Sequence, residues 1–396
     1  MNFVFISPHF PTNMWLYCRA LHQNGVRVLG IADTLLENLQ PELRNSLTDY
    51  CQVNNLEDGA ELIRAIGYFT WRWGKMDWLE SNNEYWLEQD AWLREQFNIE
   101  TGPRPQQMAT WRRKSGMKAL YEKAGIPTAP WILADTLDNA RAFAQKAGYP
   151  LIVKPDGGVG ASGTYRIRDD RELINFFDHL PDQPYIIERC VFGEICSYDA
   201  LIGSQGQPLY ETGNVTQGNI MDFVNDRLNC VFYIPPRPAD DLVEAGRRCV
   251  AAWGVRSRSI HFEFFRLDRD QEGLGKKGDV VGLEVNMRPS GGYTSDMINY
   301  AGSVDIYRMW ADMICYDHVH LNPDRQTYYC VFLGRRDFRS YVHPNRELER
   351  DWQHRLVMSA RMPRALADTM GDQVYLARCL DKAELDAFVD YGCKET

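Results

Sequence analysis

The sequence predicts a multidomain protein of mixed α/β and α+β class, and three observations carry that expectation. At 396 residues the chain exceeds one ordinary hydrophobic core, which points to two or three domains. It opens on a β-α-β pattern: the β-rich run Asn2–Ser7, a helical stretch over Met14–Asn24 and, after Gly25, the apolar run Val26–Ile31. Further on, β-runs separated by polar turns predict antiparallel pairing, and the chain closes in a small α+β region, 319–396.

The elements follow in order. The turn after the first strand, Ser7–Pro11, holds no glycine, so the dinucleotide fingerprint is missing and no NAD site is expected there. A Trp-rich helical region is predicted over Glu80–Phe97, and Thr101-Gly-Pro-Arg-Pro105 then breaks the chain, placing a domain boundary at 105/106. A basic helix starts at Lys114, stops at Gly125 and is followed by Pro127. A strand and a helix (Asp138–Ala147) lead to the β-run Tyr149–Pro155, which carries Lys154 at its end. That run opens into a loop with glycines at 157, 158, 160 and 163, and a second β-run covers Tyr185–Arg189. Ser259–Asp268 is read as a strand joined through a polar turn, Arg269–Asp279, to the stretch Gly282–Gly292 as a hairpin.

Composition narrows the functions. Hydrophobic residues at 44% and charged residues at 25% are ordinary for a globular protein, and the formal charge of −10 argues against a general nucleic-acid surface. The basic knot Arg112-Arg113-Lys114 is too short to reverse that. No run reaches the roughly 18 to 20 apolar residues of a membrane span, and the N-terminus lacks the basic and long apolar regions of a signal peptide. The ten cysteines are scattered without CxxC spacing and read as reduced thiols of a cytoplasmic protein.

Chemistry concentrates in Gly282-Leu-Glu-Val-Asn-Met-Arg288. Side chains alternate along a strand, so Glu284, Asn286 and Arg288 share one face while Leu283, Val285 and Met287 take the other. Two oxygen donors suit a hard divalent cation, and a guanidinium suits a phosphate. Antiparallel pairing with Ser259–Asp268 would bring Glu263 beside Glu284 and Asn286, and two facing carboxylates repel unless a cation lies between them. His261 shares the Glu263 face and is read as a neighbour, since magnesium prefers oxygen. The glycines after Lys154 let the backbone approach an anion, and a lysine at a strand end serves as a point charge for phosphate. The loop is no Walker motif, because no Gly-Lys-Ser/Thr ends it.

Lys114, Ala124-Gly-Ile-Pro127, Pro150-Leu-Ile-Val-Lys-Pro155, the glycine loop, Ile186-Ile-Glu188, Phe262-Glu-Phe264 and Leu283–Arg288 occur in the order of the ATP-grasp superfamily. The chain resembles its carboxylate–amine ligases over about residues 106 to 315, and 1–105 is similar to the Rossmann-like domain that precedes the grasp. The resemblance implies a small subdomain, 106–185, and a large one, 186–318. It implies that Lys114 and Lys154 hold the α- and β-phosphates of ATP, and that the loop with Gly157, Gly158, Gly160, Ser162 and Gly163 closes over the β- and γ-phosphates. Main-chain groups of Glu188 and Val191 would meet the adenine edge. Glu263, Glu284 and Asn286 would bind Mg2+, with Mn2+ able to substitute, and Arg288 would be catalytic, stabilising the transferring phosphoryl group. Where many members place a ribose-binding glutamate this chain has Ile195, so Glu194 or Asp199 is expected to take that role. The implied reaction turns a small-molecule carboxylate into an acyl phosphate and joins it to an amine, releasing ADP and phosphate. A carboxylase, a thiol (acyl-CoA) ligase and a non-catalytic nucleotide-binding protein are the alternatives. The same resemblance leaves a homodimer open.

Overall fold

The computed structural model describes residues 1–158, 163–217 and 228–396. Its first sheet is parallel, built from β1 (Asn2–Ile6), β2 (Arg27–Ala32), β3 (Asp49–Gln52) and β4 (Trp78–Glu80) in the order β3-β2-β1-β4. Phe3, Val4, Phe5 and Ile6 are all fully buried, as a parallel strand covered on both faces requires. Because β4 lies on the opposite side of β1 from β2, the strand order reverses between β1 and β4, and the C-terminal ends of these two strands are where open α/β sheets carry their ligand crevice. Ser7 and Asn82, which follow these two strands, both take a positive φ of 53°. The helical region expected from Glu80 begins later: Glu80 ends β4, Asn83 caps a short turn at Tyr85, and the helix runs over Leu87–Gln96.

The second sheet joins β5 (Trp131–Leu133), β6 (Leu151–Pro155), β7 (Tyr165–Ile167) and β8 (Tyr185–Arg189) in the order β5-β8-β6-β7, all antiparallel. The third is larger and also antiparallel. It contains β9 (Gly193–Ile202), β10 (Pro208–Thr212), β11 (Val215–Thr216), β12 (Cys230–Ile234), β13 (Arg258–Leu267), β14 (Val280–Asn286), β15 (Tyr329–Arg335), β16 (Leu356–Arg361) and β17 (Gln373–Cys379). Their order is β14-β13-β9-β11-β12-β15-β17-β16, with β10 also on β9.

These pairings bear on the expected boundaries. β8 crosses 185/186 and is hydrogen-bonded wholly into the second sheet. The strands after 319 extend the third sheet through β12–β15 pairing and form no sheet of their own. Residues 1–105 keep a core of their own on one face of the first sheet, around Val4, Ile6, Leu29, Ile31, Leu62 and Phe69, while the other face joins a larger cluster. Phe3, Phe5 and Tyr17 share one apolar cluster with Leu201, Phe232, Met297 and Trp310, and the Phe3 and Tyr17 rings meet Trp310 edge-on at 5.8 and 5.1 Å. Each such fully buried aromatic contributes about 2 to 3 kcal/mol of burial, so β1 and β4 are held firmly over the third sheet.

Candidate active site

The site is built on the β13–β14 hairpin. Its register pairs Glu263 with Glu284 and His261 with Asn286, so the side chains singled out in the sequence do share a face. A helix, Lys114–Lys123, fixes this hairpin from behind: the Tyr121 hydroxyl donates to the carbonyls of Glu263 (3.1 Å) and Glu284 (2.9 Å). Gly282 permits that approach, since a Cβ there would stand 2.6 Å from the Tyr121 ring. The same helix delivers Lys114, whose Nζ lies 3.7 Å from Glu284 Oε1. Burial pushes the Glu284 carboxyl up and the facing Glu263 adds to this, while Lys114 and Lys154 offset part of it.

Asp199, on β9, completes a second row. His261 Nδ1 meets Asp199 Oδ1 at 2.8 Å and its Nε2 meets Glu263 Oε1 at 3.0 Å. Burial alone would disfavour the imidazolium, but Asp199 and Glu263 raise His261 to about 10. Ser290 Oγ donates to Asp199 Oδ1 (2.8 Å) and lies 2.7 Å from His261 Nδ1, which ties the loop after Asn286 back to the sheet. Arg288 projects from that loop. Its Nε lies 3.2 Å from Glu84 Oε2, from the segment after β4, and Glu84 also engages Arg112 at 3.3 Å.

Across the cleft, Glu188 is almost wholly buried between two lysines, Lys118 at 2.5 Å and Lys154 at 2.7 Å. Burial opposes its charge, yet the two ammonium groups outweigh burial and hold the carboxyl at about 2. The glycine loop starts from a braced base. Asp156 accepts from the Ser115 N–H (2.8 Å) and hydroxyl (2.9 Å), and its carbonyl accepts from the Lys114 N–H at 2.8 Å. Gly157 and Gly158 are exposed just beyond, Gly163 re-enters with a positive φ of 69°, and Gly160 and Ser162 lie outside the described residues.

Known proteins resemble this chain in sequence and in fold. Residues 113–183 match the family model described as the ATP binding domain of the carbamoyl-phosphate synthase L chain. The chain is 23% identical over 281 residues to an L-arginine-specific L-amino acid ligase of Bacillus subtilis, covering 64% of this chain and 62% of that protein. An alanine–anticapsin ligase of the same organism is 23% identical over 283 residues, 65% of this chain and 56% of that protein. The chain thus spans about three fifths of the length of these curated relatives. Among solved structures, an L-amino acid ligase from Bacillus licheniformis superposes with a TM-score of 0.71 at 16% identity, covering 100% of this chain and 98% of that one. The chain has the ATP-grasp fold. An N5-carboxyaminoimidazole synthetase from Staphylococcus aureus shares it, with a TM-score of 0.66 at 14% identity over 99% of this chain and 97% of that one.

Within this ATP-grasp fold two of the expected residues have surroundings that the sequence did not show. Glu194 pairs with Arg266 and shares the face of Cys196 and Tyr198, opposite to the one carrying Glu263, so β9 presents apolar Ile195 to the cleft side instead. The Glu188 main chain sits inside the ladder, flanked by Trp131 and Ile152, and its side chain clamps lysines; the open main chain begins only after it, near Val191. Arg258, on β13, spends its fork on Glu80 (3.0 Å) and the Met287 carbonyl (2.9 Å). Lys118 and Glu84 were missed. Lys118 falls one helical turn after Lys114 and so faces the same way, a signal that was legible. Glu84 carried no such signal, because its partners Arg112 and Arg288 lie far away in sequence. Among the described residues no three His, Cys, Asp or Glu side chains gather as a metal cluster. No helix among them is long and apolar enough to cross a membrane.

Proposed function

We propose that this chain is an ATP-dependent, ADP-forming ligase that activates a small-molecule carboxylate as an acyl phosphate and joins it to an amine. The observation that carries the reading is the Glu263–Glu284 register: two facing carboxylates with an amide oxygen beside them, opposite a pair of buried lysines. That donor set fits a divalent cation, and Mg2+ held by Glu263, Glu284 and Asn286 would neutralise phosphate charge there. The protein's own groups do the positioning. Lys114 and Lys154 neutralise the α- and β-phosphates, the loop with Gly157, Gly158 and Gly163 closes over the nucleotide, and Val191 offers its main chain to adenine. The substrate carboxylate attacks the γ-phosphorus in line and ADP leaves; the amine nitrogen then attacks the acyl carbon and phosphate departs. Arg288 faces the charge that develops on the transferred group, once drawn from Glu84. Its loop, pinned by Ser290, borders the β1–β4 crevice, where we place the substrate. Within this reading, residues 1–105 supply that crevice, 106–185 and 186–318 the two jaws, and 319–396 an extension of the larger jaw.

The two curated relatives are named for amino-acid ligation, so amino acids are the carboxylates and amines to try first. The test is ADP and phosphate release from ATP and Mg2+ with pooled amino acids, other carboxylates and amines, followed by mass spectrometry of the product. A dipeptide or amide product supports the ligase. Turnover only with bicarbonate or thiols would replace the amine, and tight ATP binding without any turnover would indicate a nucleotide-binding protein.

A further inference from the structure

The segment between β13 and β14, residues 268–279, is longer than a hairpin needs, and it folds back on the connection between the two jaws. Gln271 is almost fully buried. Its side-chain amide pairs with both main-chain groups of Phe192: Nε2 donates to the Phe192 carbonyl at 2.6 Å, and Oε1 accepts the Phe192 N–H at 3.1 Å. Asp268 N–H donates to the same carbonyl at 3.3 Å. Two more straps act on this connection. Arg189 Nη1 donates to the Glu272 carbonyl at 2.5 Å, and the Arg269 guanidinium stands 4.7 Å over the Phe192 ring. Beneath them Leu274 packs with Leu267 and Val281, and Val191 lies against that cluster.

A trans peptide directs its N–H and C=O to opposite sides. With the Phe192 N–H held by Gln271, the Val191 carbonyl of the same peptide must point the other way. We propose that residues 268–279 are a clamp on the nucleotide hinge, with Gln271 the positioning residue that aims the Val191 main chain at the base. This rests on the ATP-binding reading above. Phe192 lies between the end of β8 and the start of β9, outside both ladders, so neither sheet fixes that peptide.

Calorimetric titration of the whole protein with MgADP and with Mg-pyrophosphate, which has no base, tests the clamp. Gln271→Met keeps the length and removes the amide, so the Phe192 N–H loses its partner and the Phe192 carbonyl keeps only the longer bond from Asp268. It should weaken MgADP about tenfold and leave pyrophosphate unchanged. Arg189→Met, which cuts a more exposed strap, should weaken MgADP in the same sense by a smaller factor, and keeps the test open should Gln271→Met fail to fold. Unchanged MgADP affinity in both variants overturns the proposal, as does an equal loss for MgADP and pyrophosphate. A wild-type protein that binds pyrophosphate but not MgADP would bring down the clamp and the adenine site together, whereas a loss confined to the variants concerns the clamp alone.

Discussion

Glu263 and Glu284 are direct cross-strand partners, so two carboxylates face each other within one step of an antiparallel ladder. Like charges in that arrangement destabilise a sheet unless something else benefits from them. Lys114 at 3.7 Å and His261 at 3.0 Å relieve only part of the repulsion.

Removing one member should therefore cost function and not fold. Glu284→Ala is expected to lower ADP formation by about a hundredfold or more, as is Arg288→Ala, with melting temperatures near the wild type. Stopped-time ADP assays beside thermal melts check this. Wild-type turnover in either variant would remove that residue from the chemistry.

His261 touches Glu263 and is itself held by Asp199 and Ser290, so it should set the carboxylate's direction. His261→Ala should weaken Mn2+ binding in the presence of ADP by roughly 10- to 100-fold. Electron paramagnetic resonance of free Mn2+ reads this directly, without turnover. His261→Gln, which retains an N–H donor, should recover part of the affinity; equal binding by wild type and His261→Ala would show that the histidine merely fills space.

Glu188 gives a pH dependence with a definite sign. Its carboxyl falls from 4.5 to about 2 on folding, because Lys118 and Lys154 outweigh burial. The stabilisation is then complete above pH 4.5 and is lost as the pH drops from there towards 2, on the order of 3 kcal/mol in all. Urea unfolding of wild type and Glu188→Gln across pH 2.5 to 6 should show a steeper loss in the wild type, because Glu80, Asp199 and Glu263, also lowered, titrate in both.

Asp90 has the opposite sign. Burial, then the neighbouring Glu80, raise its carboxyl to about 7, while Ser81 donates to it through its N–H (3.0 Å) and hydroxyl (2.6 Å). A carboxyl that holds its proton more tightly when folded costs stability as pH rises from about 4 to about 7, and the cost is constant above that. Asp90→Asn keeps an oxygen for Ser81 and should raise the unfolding free energy by about 3 kcal/mol more at pH 8 than at pH 5. No difference between these two pH values would place the proton elsewhere.

Some of this was legible in the chain. Strand alternation alone placed Glu284 and Asn286 on one face, and a polar turn between two β-runs was enough to predict the hairpin that sets Glu263 opposite Glu284. Lys154 at a strand end before glycines was equally readable. Glu194 was not, because a side-chain period of two means that one residue of register sends the carboxylate to the other face, and adjacent positions 194 and 195 look interchangeable until the strand is paired. The Glu188 side chain hid for another reason: motif order suggested a main-chain role, while its partners Lys118 and Lys154 come from two different elements.

The amino-acid sequence by itself determined the local chemistry: which side chains share a strand face, where glycines free the backbone, and which order of elements the chain follows. These depend on neighbours within a few residues, where the backbone period dictates geometry. Only the tertiary structure decided that Glu84 reaches Arg288, that Ser290 locks His261 to Asp199, that Gln271 grips Phe192, and that one face of the N-terminal sheet shares a core with Trp310. Those contacts join segments tens to hundreds of residues apart. They are set by how apolar faces pack and by which buried polar groups must find partners, and neither is written in any local pattern.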